Sequence, residues 1–339
     1  MTKKIIFRAD GNGETGLGHL YRLFSLVETV RDHYEFVFLT KASSTHSVIP
    51  ESYNLGVIPE NSSLSEEANW LSENFSAENH IIIADGYQFN AAYQKAIKSK
   101  GYKLVYIDDL ASEHMYADVV VNHSPNIAQS NYKCETYTNF ALGTKYALLR
   151  PIFLKLAKQS RSIEKIDTAF VCFGGADLFD LTGKATKALL GMSLFTIVHV
   201  VLGAAYQHEN ILMLKESHPD RLKIHKNLSA EALAKVMQSC NFAIAPSSTI
   251  LYELSCIKML ILSGYYVDNQ ELIYKGFLCK KAIFKGGNMT NYQESDFSEL
   301  MHSILNSGQF EEQIRAQQNM FDDQIASRHL KLIGPLCCE

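Results

Sequence analysis

Short apolar runs rich in β-branched residues alternate with longer segments of helical period along this chain. In the first half such runs cover 4–9, 34–40, 80–84, 104–107 and 118–121, with helices expected at 20–31 and 90–100. A second set of runs covers 168–173, 196–202, 222–225, 242–245 and 259–262. This alternation predicts mostly parallel sheets with helices on both faces. We therefore expect an α/β protein with two doubly wound domains in series.

The length of 339 residues fits two domains, since a globular domain has about 150 residues. We place the first domain at 1–150, a connecting segment at 151–165 and the second domain at 166–310. Residues 148–165 are predicted to form a basic helix that ends in Gln-Ser-Arg-Ser, which is typical of a connection. Residues 311–339 are expected to form a C-terminal helix and tail.

Composition excludes several classes of protein. The chain is 47% hydrophobic and 20% charged, with a mean hydropathy of −0.07, as is typical of a soluble globular protein. Its 32 Lys and Arg against 36 Asp and Glu leave a formal net charge of −4, and no run of five like charges occurs. Nucleic acid and anionic membranes are therefore not expected as main partners.

The cysteines and the N-terminus indicate a cytoplasmic protein. The seven cysteines show neither Cys-x-x-Cys nor Cys/His ligand spacing, so we expect reduced thiols and no zinc. The start, Met-Thr-Lys-Lys-Ile-Ile-Phe, has too short an apolar run for a signal peptide, and no stretch approaches 18 apolar residues. We expect neither an export signal nor a membrane span.

A glycine-rich loop follows the first strand. Gly11, Gly13 and Gly16 match the G-x-G-x-x-G fingerprint of dinucleotide-binding proteins. The second strand, however, ends at Thr40-Lys41 rather than at an acidic residue that could bind an adenosine ribose. An NADP site that uses Lys41 and a turn without a ligand both stay open as alternatives.

The end of the same loop predicts a catalytic group. Gly18 lets the backbone approach a ligand closely and puts His19 in the first turn of the following helix. The positive end of the helix dipole disfavours imidazolium there, so His19 is our candidate base. Arg22 lies three residues later on about the same face and would present a cation to an anionic substrate.

Polar side chains follow three other strands of the first domain. They stand in Asp85-Gly86-Tyr87, Asp108-Asp109 and Asn122-His123. Ligands of open α/β sheets bind beyond the carboxyl ends of the strands, which is the edge that also carries His19. Any one of these residues could instead cap a helix, but together they favour a site.

The second domain has two further candidate loops. Phe173-Gly-Gly-Ala-Asp177 gives a ligand room to approach, or forms a tight turn with an aspartate cap. Pro246-Ser247-Ser248-Thr249 opens a helix, where hydroxyl and backbone N–H groups suit a diphosphate or simply cap the helix. Glu253 could accept two ribose hydroxyl protons. No Asp-x-Asp occurs, so a metal-chelated diphosphate has no evident ligands.

Asp268-Asn269-Gln270 follows the strand predicted at 259–262. Asn and Gln side chains both donate to and accept from sugar hydroxyl or acetamide groups, and capping is again the alternative.

Together these motifs resemble those of the PseG-type nucleotide-sugar hydrolases. The match covers about residues 3–280, in the same order. In the first half it comprises Arg8, Asp10, Gly18, His19, Arg22, Asp85, Tyr87, Asp109, His114, Asp118 and Asn122. In the second half it comprises Leu149-Arg150-Pro151-x-Phe153, Phe173-Gly-Gly-x-Asp177, Val201-Leu-Gly203, Ser248-Thr249-x-x-x-Glu253 and Asp268-Asn269-Gln270.

The resemblance implies a GT-B fold, in which two Rossmann-like doubly wound domains face each other across a cleft and the final helix packs back on the first. It implies hydrolysis of UDP-2,4-diacetamido-2,4,6-trideoxy-β-L-altropyranose to UDP and the free sugar, a step toward pseudaminic acid. The only partner implied is the UDP-sugar, with no cofactor and no metal, and we expect a monomer or weak homo-oligomer.

The resemblance also implies roles for the two domains. The first domain binds the sugar and carries the catalytic base, and the second domain binds UDP. His19 is the implied catalytic base. The implied substrate-binding residues are Arg8, Asp10, Gly16, Gly18, Arg22, Tyr87, Asp109, Asn122, Asn269 and Gln270. The implied nucleotide-binding residues are Gly174, Gly175, Ser247, Ser248, Thr249 and Glu253.

Three segments depart from the family pattern. Pro246-Ser247 replaces a Gly-Gly pair, which removes a backbone donor near the diphosphate, and the Ser247 hydroxyl could replace it. Tyr252 stands where the family has Trp, and Leu20-Tyr21 where it has Val-Met. Two other functions stay open: a metal-independent inverting glycosyltransferase of the same fold, and a non-catalytic UDP-sugar binding protein.

Overall fold

The computed structural model describes residues 2–13, 16–203, 205–308 and 310–338. The chain divides into two compact units, Met1–Pro151 with Gln324–Glu339, and Ile152–Asp323. Residues 152–165 and 311–323, which we expected in a connection and a C-terminal tail, therefore belong to the second unit.

Strands and helices alternate through both units. The strands are β1 (Lys4–Ala9), β2 (Phe36–Lys41), β3 (Leu55–Ile58), β4 (His80–Asp85), β5 (Leu104–Ile107), β6 (His114–Met115), β7 (Val119–Asn122), β8 (Lys133–Cys134), β9 (Asn139–Leu142), β10 (Thr168–Val171), β11 (Ile197–Leu202), β12 (Leu222–Lys226), β13 (Phe242–Pro246), β14 (Leu260–Tyr265) and β15 (Phe284–Asn288). The helices are α1 (Gly18–Val30), α2 (Leu64–Asn74), α3 (Ala91–Ser99), α4 (Pro151–Ala157), α5 (Leu181–Gly191), α6 (Asn210–Ser217), α7 (Ala230–Gln238), α8 (Thr249–Cys256), α9 (Glu271–Cys279), α10 (Glu294–Ser307), α11 (Phe310–Gln318) and α12 (Ile325–Cys338).

The main sheet of the first unit is parallel, in the order β3-β2-β1-β4-β5-β7-β9. Alternate residues of β1 face opposite layers: Ile5 and Phe7 pack with α1 and α12, and Ile6 packs with α2 and α3. Both faces are covered, which explains the continuous apolar runs in the sequence. The expected doubly wound architecture is confirmed for this unit.

The sheet register aligns the strand ends that carry the candidate site. Ala9 pairs with Asp85, Asp85 with Ile107, and Ile107 with Val121. The chain leaves β1 toward β2 on one side and returns as β4 on the other, so a topological switch point lies between β1 and β4. Ligands of open α/β sheets bind at such points.

The second unit repeats this plan with a parallel sheet in the order β12-β11-β10-β13-β14-β15, whose switch point lies between β10 and β13. Its core includes Phe173, Phe195 and Leu262. Helix α11 belongs here because buried Gln313 and Gln317 bond the backbone of β14 and of the residue before it: Gln313 accepts from Ile261 N at 2.6 Å, and Gln317 donates to Met259 O at 2.9 Å.

Helix α4 is shorter than the sequence predicts, and helix α12 belongs to the first unit. The helix predicted at 148–165 is only Pro151–Ala157, since the Lys258 ammonium binds the last carbonyl groups of the helix, Leu156 O and Ala157 O. Helix α12 packs on the first unit, where Ile333 and Cys337 join the α1 core and Lys3 N donates to Cys337 O at 2.9 Å.

Gly203 offers a test of how the loops after β10 and β11 pack. A Cβ at Gly203 would lie 2.1 Å from Gly174 O and 2.3 Å from Gly175 O. We expect Gly203→Ala to reduce the free energy of unfolding by about 1–3 kcal/mol, because the backbone of the loop has to move. Urea unfolding followed by circular dichroism measures this.

Gly191→Ala in α5 is the matched control, since a Cβ there meets no atom within 4 Å. Its unfolding free energy should stay within about 1 kcal/mol of the wild type. Equal stability of the two variants would contradict the close packing at Gly203.

Candidate active site

His19 and Asp85 meet at the switch point of the first sheet. His19 is the second residue of α1, and its Nδ1 lies 2.7 Å from Oδ1 of Asp85, the last residue of β4. The Asp85 side chain is fully buried, whereas that of His19 is 12% exposed. Arg22 Nη2 also lies 3.0 Å from His19 Nδ1, but it donates to Asp85 Oδ1 at the shorter distance of 2.5 Å. Because a carboxylate only accepts hydrogen bonds, we assign the proton to Nδ1 and the lone pair to Nε2. The arrangement presents His19 Nε2 as a proton acceptor.

Arg22, one turn further along α1, is held by two buried carboxylates. Its Nε donates to Asp85 Oδ2 at 2.7 Å, its Nη2 to Asp85 Oδ1 at 2.5 Å and its Nη1 to Asp109 Oδ1 at 2.5 Å. Burial lowers the pKa of Arg22, but Asp109 and Asp85 outweigh it and hold the pKa well above its usual value. The guanidinium is therefore a fixed charge within the protein.

Asp109 connects this ion-pair cluster to Tyr87. The Tyr87 hydroxyl donates to Asp109 Oδ2 at 3.0 Å, and the Tyr87 ring meets the His19 ring edge-on with centroids 4.6 Å apart. Burial raises the pKa of Asp109, but Arg22 outweighs burial and lowers it to about 2. Because Tyr87 gives its proton to an ionised carboxylate, its oxygen can only accept from a further group. Tyr87 is 42% exposed.

Asp85 and Asp109 carry two negative charges against the one positive charge of Arg22, so these three side chains have a net charge of −1 beside the His19 ring.

Arg8 and Asp10 lie beside this cluster but are engaged within the protein. The Arg8 guanidinium is fully buried and bonds Glu67 at 2.8 and 3.0 Å and Asp10 Oδ1 at 2.6 Å. Asp10 Oδ1 also accepts from Lys41 N at 2.8 Å, and the Lys41 ammonium donates to the backbone carbonyls of 60 and 62. Arg8 and Asp10 are therefore bonded to other groups of the protein, and the Lys41 ammonium is bonded to backbone carbonyl groups.

Asn122 is also turned inward. It is fully buried, and its Nδ2 donates to the Tyr132 hydroxyl at 2.9 Å and to Asp108 Oδ2 at 3.3 Å. His123 next to it accepts from Leu148 N at 3.2 Å. Gly16 pairs with Asn12, and Gly18 begins α1; Glu14 and Thr15 of the glycine loop lie outside the described residues.

In the second unit the loop after β10 is a capped turn. Asp177 is buried, and its two oxygens accept from Leu181 N at 2.9 Å and Thr182 N at 2.7 Å. Asp180 accepts from Gly183 N at 3.2 Å. These contacts are those of an aspartate cap, one of the two interpretations of the sequence. Gly174 and Gly175 lie at the start of this loop.

The N-terminus of helix α8 differs from those of α5 and α7 in its capping. Ser248 precedes it without a side-chain capping bond, and its first turn carries no acidic residue. By contrast α5 has two carboxylates at its start, and α7 is capped by Ser229. The N-terminus of α8, at the switch point of the second sheet, can therefore accept an external anion. Thr249 opens the helix, and Glu253 lies buried one turn later.

Two further predicted residues bond within the second unit. Ser247 is fully buried, with Oγ 2.9 Å from Ser263 Oγ, so its hydroxyl is directed into the sheet. Gln270 Oε1 accepts from Tyr266 N at 3.1 Å. Asn269 lies half-buried in the 3₁₀ turn Asp268–Gln270 that leads into α9.

The sequence analysis did not identify the role of Asp85, Glu67 or Gln88. Asp85 was recognised as a polar residue at a strand end, but not as the partner of His19 and Arg22. The signal was available, because Asp85 ends the strand adjacent to β1 in a doubly wound order. Glu67 and Gln88 carry no sequence signal that separates them from surface residues.

In the described part of the chain, no cluster of three His, Cys, Asp or Glu side chains could hold a metal ion. Within the same residues no helix combines the length and apolar character needed to cross a membrane.

Three proteins of known sequence are similar to this chain. An uncharacterised protein of Methanocaldococcus jannaschii is 28% identical over 97% of this chain and 69% of its own length. The UDP-2,4-diacetamido-2,4,6-trideoxy-β-L-altropyranose hydrolase of Campylobacter jejuni is 28% identical over 79% of this chain and 93% of its own. The spore coat polysaccharide biosynthesis protein SpsG of Bacillus subtilis is 24% identical over 79% of each. No family model matches.

Solved structures establish the fold. MurG of Acinetobacter baumannii superposes with a TM-score of 0.67 over 98% of this chain and 99% of its own, at 13% identity. HepE of Anabaena in complex with UDP-glucose superposes with a TM-score of 0.60 over 99% of this chain and 100% of its own, also at 13% identity. The expected GT-B fold, an α/β architecture with two Rossmann-like domains, is confirmed.

Buried His123 generates a prediction of pH-dependent stability. Burial and the Arg22 charge lower its pKa from 6.5 to about 4. Between these two pH values the unfolded chain binds a proton at His123 and the folded protein does not. The free energy of unfolding therefore decreases as the pH falls from about 6.5 to 4. His123 should contribute up to about 3 kcal/mol to this loss.

His123→Asn keeps a side-chain acceptor for Leu148 N but cannot titrate. We expect a smaller decrease of unfolding free energy between pH 6.5 and 4 than in wild type, measured by urea unfolding at each pH. His33→Asn, at an exposed position, is the control. An unchanged pH slope in His123→Asn would contradict the assignment.

Proposed function

We propose that this protein is a PseG-type nucleotide-sugar hydrolase, which releases UDP and a 2,4-diacetamido-2,4,6-trideoxyhexose from the UDP-sugar as a step of pseudaminic acid biosynthesis. The observation that carries the proposal is the His19–Asp85 pair, at 2.7 Å, on the ligand-binding edge of the first sheet. The similarity to the C. jejuni hydrolase over 79% of this chain supports the class of substrate.

In the proposed reaction His19 Nε2 takes a proton from a water molecule. The water oxygen forms a bond to the anomeric carbon, and the bond from that carbon to the diphosphate oxygen breaks with its electron pair leaving on UDP. Attack from the face opposite UDP inverts the anomeric configuration. Asp85 stabilises the imidazolium formed on His19, and base catalysis of this kind contributes about 10²- to 10⁴-fold.

The N-terminus of α8 is the proposed site for the diphosphate. The proposal rests on Ser248, whose side chain makes no capping bond, and on the first turn of α8, which has no acid. Ser248, Thr249 and Glu253 are the proposed UDP contacts, with backbone N–H groups meeting the charge that develops on the leaving group. UDP is a good leaving group, so no protonated acid is required.

Arg22 has a positioning role in this proposal. Its guanidinium bonds Asp85 and Asp109 at 2.5–2.7 Å, so its charge is already balanced and it holds the carboxylate that orients His19. Tyr87 is the proposed sugar contact beside His19. Its oxygen, which can only accept, suits an acetamido N–H or a hydroxyl of the sugar.

The site of bond cleavage can be read from isotope labelling. Hydrolysis of the UDP-sugar in ¹⁸O-water should place the label in the released sugar, because water attacks carbon rather than phosphorus. Mass spectrometry of both products measures this. Label in UDP would remove His19 from its role, and UDP release only after addition of an acceptor sugar would assign a glycosyltransferase.

The His19–Asp85 pair is tested by two substitutions. His19→Asn removes the base, and Asp85→Asn lets an amide donate to Nδ1, which leaves the proton on Nε2. Both should lower kcat by about 10²- to 10⁴-fold. A coupled UDP-release assay measures kcat, and calorimetry should still detect UDP binding.

Asp32→Asn, which removes an exposed carboxylate near the end of α1, is the matched control and should keep wild-type turnover. Turnover of His19→Asn within tenfold of the wild type would reject His19 as the base.

A further inference from the structure

The loop between β4 and α3 carries Tyr87 at its tip, and its base is firmly held. Gly86 O accepts from the Tyr106 hydroxyl at 3.3 Å and from Phe89 N at 3.1 Å. Phe89 is fully buried, with the Arg8 guanidinium over its ring at 5.0 Å. Only the two tip residues, Tyr87 and Gln88, extend beyond these anchors.

Each tip residue is bonded to a residue that follows a different neighbouring strand. Because β4 lies between β1 and β5, its loop is flanked by the residues that follow those two strands. Tyr87 donates to Asp109, two residues after β5, at 3.0 Å. Gln88 Nε2 donates to Oδ2 of Asp10, directly after β1, at 3.1 Å. The two bonds hold the tip from opposite sides.

Asp10 is a rigid partner for Gln88. Its other oxygen accepts from Arg8 Nη1 at 2.6 Å, Thr40 Oγ1 at 3.0 Å and Lys41 N at 2.8 Å. Burial raises the pKa of Asp10, but Arg8, Lys41 N and the Thr40 hydroxyl together outweigh burial and hold the pKa below its usual value. Gln88 therefore donates to a fixed, charged acceptor, the strong kind of hydrogen bond.

The backbone of the loop leaves room for this bond. Gly86 has a φ of +157°, and a Cβ there would lie 2.5 Å from Gln88 Oε1 and 2.9 Å from Gln88 Cδ. The Gln88 side chain thus folds back over Gly86 toward Asp10 rather than extending into solvent.

We infer that Gln88 is a positioning residue for the catalytic site, which sets the place of Tyr87 beside His19 through its bond to Asp10. The inference rests on the proposed function for its effect on turnover, but not for its effect on the loop. Gln88 touches neither His19 nor the reacting atoms, so it acts through Tyr87.

The loop itself is tested first, by hydrogen–deuterium exchange of full-length protein. Gln88→Met keeps the length of the side chain but cannot donate, so the amides of 86–90 should exchange about 10-fold faster than in wild type, with the rest of the first unit unchanged. Gln129→Met, at an exposed position of the same unit, is the matched control. Unchanged exchange at 86–90, or faster exchange throughout the unit, would overturn the inference.

Catalysis is tested with Gln88→Glu, which places a second carboxylate against Asp10. Repulsion raises the pKa of the new carboxyl above its usual value of about 4.3, and the loop is released while this group is ionised. Protonation of the new carboxyl restores a hydrogen-bond donor to Asp10. The ratio of variant to wild-type kcat/KM should therefore be about 10- to 100-fold below one at pH 8, and it should rise as the pH falls to 5.5. Gln129→Glu should give a ratio near one at every pH.

A pH-independent ratio, or a ratio near one at pH 8, would show that Gln88 does not position Tyr87 for catalysis. If the wild-type protein releases no UDP from any UDP-sugar, the proposed function fails, and the exchange rates of Gln88→Met and Gln129→Met alone decide whether Gln88 holds the loop.

Discussion

The carboxylate of Asp85 is charged and fully shielded from water, and the first domain is arranged to compensate that charge. A buried carboxylate is tolerated only when protein donors replace its hydration. Arg22 meets both of its oxygens, and His19 Nδ1 meets one of them. Both partners come from the first two turns of α1, so the place of that helix on the sheet is set by the same interaction that orients the imidazole.

Two sets of buried charges lie along this sheet edge, one around Asp85 and one around Asp10. Arg22 also requires Asp109, and Asp109 in turn holds Tyr87. On the other side, Asp10 is bound by Arg8 and binds Gln88. Within each set the charged groups are fixed by their neighbours, which in the proposed reaction reduces the reorganisation needed when a proton moves at His19. The buried groups fix the positions of the two partly exposed rings of His19 and Tyr87.

Prediction from the sequence succeeded for long apolar strands and was incomplete for short or interrupted ones. The strands at 4–9 and 104–107 have the predicted bounds, because buried parallel strands are continuous apolar runs. Strand β15 was missed, since Phe-Lys-Gly-Gly-Asn has the composition of a turn, and β3 and β9 are short edge strands. The helix predicted at 148–165 ends at 157, where a side chain 101 residues away in sequence binds its last carbonyl group.

The sequence by itself determined the fold class, the two parallel sheets and the sheet edge at which His19 lies, because these follow from local periodicity and from the geometry of parallel strands. It could not determine which polar groups at that edge face a ligand. Arg8 and Asn122 have the residue types of binding groups, yet the fold buries both, whereas Asp85 becomes the partner of His19. These outcomes depend on contacts between residues far apart in sequence, such as Arg8 with Glu67, and only the tertiary structure decided them.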